Sequence, residues 1–185
     1  MRQFQVLQRP LRVSKDARRC RSPGMETLSL GCIDSRKGKR TMAGDIDYNL
    51  DRFIDAQNGV YEQALSELKA GRKTSHWMWF IFPQIAGLGT SAMAEKYAIR
   101  SAEEAGAYLA DPILSSRLLR CVEAILSVGG RSAHEILGSL DDLKLRSSMT
   151  LFAAISDHGS PFHRAIEHFY QGKFDERTIE ILGAD

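Results

Sequence analysis

Between Leu50 and Leu182 this 185-residue chain repeats one pattern: apolar residues spaced three and four apart, opened by a capping side chain and closed by glycine. No segment alternates apolar and polar residues as a half-buried strand would. The pattern therefore predicts an all-α fold, a single bundle of about eight helices. With 43% apolar residues the chain can bury a real core without disulfide or metal staples.

From Leu50, the residues Phe53, Ile54, Tyr61, Ala64, Leu65 and Leu68 fit one amphipathic helix of five or six turns, stopped at Gly71. Gln57 lies on the same stripe, so an amide is expected to face inward and to need a partner there. Thr74 or Ser75 can cap a short element over 76–82, read as helix from its neighbours. Thr90 or Ser91 caps a helix to about Ile99, and Ser101 with Glu104 has the capping-box spacing. Asp111-Pro112 reads as N-cap and first helical residue. The helix behind it puts Leu114, Leu118, Cys121, Val122 and Ile125 on one stripe, so Cys121 is expected to be core filler. Ser132 and Glu135 repeat the capping box, Asp141 is expected to cap the next helix, and Met149 to Ile155 reads as its buried half. Ser160-Pro161 and Asp175 open the last two helices.

The formal charge of +2 divides unevenly. Residues 1–43 hold 11 Lys+Arg against three acids, a net of +8, whereas residues 44–185 hold 14 against 20, a net of −6. The first segment also lacks sustained apolar periodicity, and it is read as a disordered basic extension of the domain over 45–185. Three accounts of it stand side by side: an arm for nucleic acid or membrane, an organelle leader, and an over-extended gene start with Met42 opening the protein. An acidic domain argues against nucleic-acid binding by residues 44–185. The longest apolar run, Trp77 to Phe82, is far short of the roughly 17 residues a membrane helix needs. Cys20, Cys32 and Cys121 are an odd number at wide spacing, which fits a reduced, cytoplasmic chain.

Two segments are candidates for chemistry. In Asp141 to Thr150, Lys144 and Arg146 stand in the first turns of a helix, where cations oppose the macrodipole and call for acidic partners or an anionic ligand. Lys144 and Ser148 share a face, with Ser147 one step round. The competing account pairs Asp141 and Asp142 locally with Lys144 and Arg146 and returns the hydroxyls to the preceding turn. In Lys73 to Trp79, a cation, two hydroxyls and His76 stand beside Trp77 and Trp79, a flat apolar wall with polar groups at its edge, as a planar ligand requires. Tryptophans of this kind are also ordinary core. No metal or cofactor is expected: His158, His163 and His168 are five apart, which scatters them round a helix, and His134-Glu135 lacks a zincin's second histidine. Gly87-Leu88-Gly89 lacks the longer phosphate-loop fingerprints.

Ala56-Gln57, Tyr61 to Leu65, Lys73, Ser75-His76-Trp77-Met78-Trp79-Phe80-Ile81-Phe82-Pro83-Gln84, Gly87-Leu88-Gly89 and Lys144 to Phe152 closely resemble a bacterial and fungal family known as DUF1810. The likeness runs over about 47–182. It implies a mainly α-helical single domain and brings no assigned activity. It also marks as signature positions Gln57, Tyr61, His76, Gln84, Lys144, Arg146, Ser147 and Ser148, polar residues that packing alone would not call for.

The combined expectation is one pocket for a small anionic, nucleotide-like or sugar-phosphate-like ligand. Trp77 and Trp79 would wall it, Lys144 and Arg146 would hold the anion, and Gln57, Tyr61, Lys73, Ser75, Gln84, Ser147 and Ser148 would contribute. His76 would orient the ligand or transfer a proton in hydrolysis or transfer at a phosphate- or ribose-linked bond. The alternative is a non-catalytic binding or interaction module whose signature residues form a structural network.

Overall fold

The computed structural model describes residues 47–183. The basic extension over 1–43, its possible start at Met42 and the outer edge of the domain near residue 45 lie outside them.

Ten helices are formed among the described residues: α1 (Asp51–Gln57), α2 (Tyr61–Lys69), α3 (Met78–Ile81), α4 (Ala92–Lys96), α5 (Ala102–Ala110), α6 (Pro112–Leu126), α7 (Ala133–Leu137), α8 (Asp141–Ala154), α9 (Pro161–Tyr170) and α10 (Glu176–Leu182). The only extended pairing among them is an isolated parallel bridge, Ile85 to Ile99, where the Ile99 N–H donates to Gln84 O at 2.9 Å and the Ala86 N–H to Ile99 O at 2.7 Å. No described helix is long and apolar enough to cross a membrane.

The long first helix expected from the stripe is two helices. Asn58 turns extended (ψ 125°) and Gly59 takes φ +79°, a conformation that glycine adopts without penalty, so the chain bends between α1 and α2 while the stripe stays in phase. Phe53, Ala64, Leu65 and Leu68 are buried on both sides of the bend. The caps on α4 to α7 form as the sequence indicates. Ser91 accepts from the Ala94 N–H, Ser101 from Glu104, and Asp111 from both Ile113 and Leu114, while Ser132 and Glu135 close a full capping box. Glu104 departs from that box. Its buried carboxylate takes the Arg100 N–H at 2.9 Å and pairs with Arg52, whose guanidinium also binds the carbonyls of Tyr48, Asn49, Lys96 and Ala98.

Two expected caps do not form. Neither Thr74 nor Ser75 caps α3, which begins only at Met78 with Trp77 as N-cap, and the Ser75 hydroxyl goes to Glu67 instead. Asp141 is the first residue of α8, not its cap. The N-cap is Leu140, which makes no side-chain bond to the helix. The Asp141 carboxylate is held by two lysines instead.

The core is one cluster. The buried stripe of α6 (Leu114, Leu118, Cys121, Val122, Ile125) meets α2, and the buried half of α8 (Met149, Leu151, Phe152) packs against α9 through Phe162 and Ile166. Tyr108 bridges these parts, edge-on to Phe53 at 5.1 Å and tilted against Phe152 at 5.4 Å. Cys121 is core filler, as its place on the stripe indicates.

Candidate functional site

The loop 72–77 returns from α2 across the start of α8, and one acid anchors each side of it. On the inner side is Glu67, on the face of α2 next to Leu68. Its buried carboxylate accepts the Thr74 N–H (2.8 Å), the Ser75 N–H (3.1 Å), the Ser75 hydroxyl (2.7 Å), the Trp77 indole N–H (2.9 Å) and the Gln63 amide (3.1 Å). Burial works against the charged form, but the donors from Thr74, Ser75 and Trp77 outweigh it and hold this carboxyl well below its ordinary range. Trp77 is fully buried by the same arrangement. It is therefore a core residue, not the ligand wall expected of it, and the Ser75 hydroxyl is already used.

On the outer side is Asp141. The Lys73 ammonium reaches one carboxylate oxygen at 2.8 Å and the Lys144 ammonium the other at 2.7 Å. Lys73 is also tied down through its backbone, whose N–H donates to Ile136 O at the end of α7. Each ammonium stands over a different indole, Lys73 at 5.2 Å from the Trp77 ring centre and Lys144 at 4.7 Å from that of Trp79. Burial opposes the charge on Asp141, and the bonds from Lys144 and Lys73 overcome it, so its pKa lies below the ordinary value. Two cations thus share one anion beside a half-buried tryptophan. Next to them the exposed His134 ring meets the second acid of the turn, Asp142, at 3.0 Å.

Arg146 is not part of this group. Two residues from Lys144 along a helix is about 200°, which points it the other way. Its guanidinium binds the carbonyls of Lys173 and Phe174 and lies 6.0 Å from the Tyr170 ring, pinning the α9–α10 connection. Ser147 returns its hydroxyl to Leu143 O at 3.1 Å, as the competing account of this segment has it. The Ser148 hydroxyl is buried without a partner among the described residues. His76 is exposed and makes no hydrogen bond or ion pair among the described residues.

Gln57 finds the inward partners its position demands. Its amide donates to Phe80 O at 2.8 Å and to the Tyr108 hydroxyl at 3.3 Å, and its oxygen accepts from Arg117 at 3.2 Å. Arg117 and Arg120 lie 5.1 and 5.9 Å from the Tyr61 ring, whose hydroxyl is buried and has no partner among the described residues. Gln84 lines a separate cavity of about 190 Å³ with Gly87 and Arg100. Gln57, Tyr61 and Gln84 therefore stand apart from the lysine pair. Glu67 is the residue that sequence reasoning missed.

A model of the family described as "protein of unknown function (DUF1810)" matches residues 47–182. Among solved structures, the chain is similar to the crystal structure of a conserved hypothetical protein from Mycobacterium tuberculosis. Identity is 48% and the TM-score 0.72, over 74% of this chain and 97% of that one. No curated protein matches.

Proposed function

This chain belongs to the DUF1810 family, whose description carries no activity, and we propose from its own geometry that the domain binds a small anionic ligand with a planar part at Lys73, Lys144 and Trp79. The observation that carries this reading is the convergence of two ammonium groups on the single carboxylate of Asp141. The two ammoniums outnumber the one carboxylate they share, with Asp142 turned to His134, and Lys144, with 27% of its side chain exposed, can meet an anion from solvent. The half-buried Trp79 ring beneath it offers a face to a base or sugar ring. His76, exposed at the same loop, is the group left to hydrogen-bond the ligand. The proposal is binding; among the described residues no partner orients His76 as an acid or base.

A thermal-shift series with nucleotides and sugar phosphates tests it. A ligand at about 100 times its Kd adds roughly 2.7 kcal/mol of stability. Lys144→Ala and His76→Ala should remove or shrink the shift. A series in which no compound raises the Tm, or in which both variants keep the full shift, overturns the reading.

A second reading has its own observation. The bonds of Gln57 to Phe80, Tyr108 and Arg117, and of Glu67 to the loop 74–77, satisfy signature residues entirely within the protein. In that reading the domain is a non-catalytic interaction module, and its polar signature specifies how α1, α2, α3, α5 and α6 pack. Gln57→Ala would then lower stability without altering any ligand response.

A further inference from the structure

A cavity of about 580 Å³ lies against α9, away from the lysine pair, and has no part in the reading above. Its size is that of a small-molecule site. Ile166 and Phe174 give it an apolar side. Two imidazoles form another, with the rings of His158 and His163 5.1 Å apart and His163 edge-on to Phe174 at 6.0 Å. His163 is held by the Ser160 hydroxyl through Nδ1 at 2.9 Å, which leaves Nε2 unused. Burial and the nearby His158 lower the His163 pKa from its ordinary value, which disfavours a positive charge on this ring.

The charges on the wall are unequal. Arg164 is paired with Glu123 of α6. Glu167 has no ion pair and no hydrogen bond among the described residues, and its carboxylate lies over Gly172. A Cβ on Gly172, whose φ is +74°, would come within 2.8 Å of Glu167 Oε2, so glycine is what lets the carboxylate sit there. The uncompensated charge at the cavity is therefore negative, on a segment, 44–185, whose own net charge of −6 draws cations toward it.

We propose that this cavity binds a small organic cation with a flat apolar body, an arylalkylamine or aryl amidine, its ring against Phe174 and the imidazole pair and its cationic group on Glu167. Heteronuclear NMR titration of the full chain with benzamidine, and with benzoate as the shape-matched anion, tests the proposal. Benzamidine should saturate and move the resonances of His158, His163 and Gly172, whereas benzoate should not. Glu167→Gln, at an exposed position and checked for an unchanged Tm, should weaken benzamidine by about fivefold or more. Gly172→Ala, which displaces the carboxylate, should weaken it as well. Benzoate binding as tightly as benzamidine, full affinity in Glu167→Gln, or no benzamidine binding at millimolar concentration would each overturn the proposal.

Discussion

The indole N–H of Trp77 donates to the carboxylate of Glu67 at 2.9 Å inside the core, and the same carboxylate receives the backbone of Thr74 and Ser75. One acid on α2 thereby ties down the loop 72–77 immediately ahead of α3. A buried carboxylate is tolerated here because its donors are many and fixed.

Removing this acceptor should be costly. Glu67→Ala leaves buried donors unpaired and is expected to destabilise the domain by about 3 kcal/mol, read by urea unfolding. The pH dependence has a definite sign. The folded pKa lies below the ordinary value of 4.5, so the stabilisation is complete above pH 4.5 and is lost as pH falls through the folded value. Glu67→Gln should flatten the acid limb of the stability curve. An unchanged acid limb would mean that other carboxylates account for it.

Cys121 should be inert in the folded domain. Burial pushes its thiol up to about 12, so almost no thiolate exists at neutral pH. In a Cys20→Ser, Cys32→Ser background, maleimide labelling should proceed only in denaturant. Rapid labelling of the native protein would contradict the packing of α6.

Most of the helical scaffold was legible because its signals are local. The Ser132–Glu135 box, the Asp111-Pro112 start and the α6 stripe each lie within a few residues. The bend at Asn58-Gly59 carried a turn signal too, but the apolar stripe continues in phase across it and hides the break. Glu67 was not legible, since a carboxylate beside Leu68 reads as solvent face until the loop at 74–77 folds back over it. Nor was the meeting of Lys73 with Lys144, which are 71 residues apart and joined only through Asp141. The separation of Arg146 from Lys144 follows from helix geometry alone, whereas the carbonyls of Lys173 and Phe174 that engage Arg146 lie beyond any local pattern.

The lysine pair makes a prediction with opposite signs in two measurements. Asp141→Asn removes the shared negative charge, so stability should fall by about 1 kcal/mol as two cations lose their counterion. Affinity for a phosphate-bearing ligand should rise, because two uncompensated ammoniums now face it. Lys144→Ala should lower that affinity. Calorimetric titration of both variants separates the cases: if Asp141→Asn weakens the ligand as Lys144→Ala does, surplus charge is not what holds the anion.

Leu140 carries the strain in this region. Its φ of +70° is a conformation that a branched side chain rarely adopts, and its side chain is 68% exposed, so no packing offsets the cost. Leu143, the next most exposed large apolar residue among those described, lies one turn on at 56%. Glycine at 140 would relieve the backbone, at the expense of some unfolded-state entropy. Leu140→Gly should therefore raise stability by about 1 kcal/mol, in the same direction as glycine's preference over leucine at an N-cap. Leu140→Ala keeps the strained φ with a Cβ in place and should change stability little. If both variants destabilise the domain equally, the leucine side chain itself holds the start of α8, and the strain is compensated by contacts of that side chain.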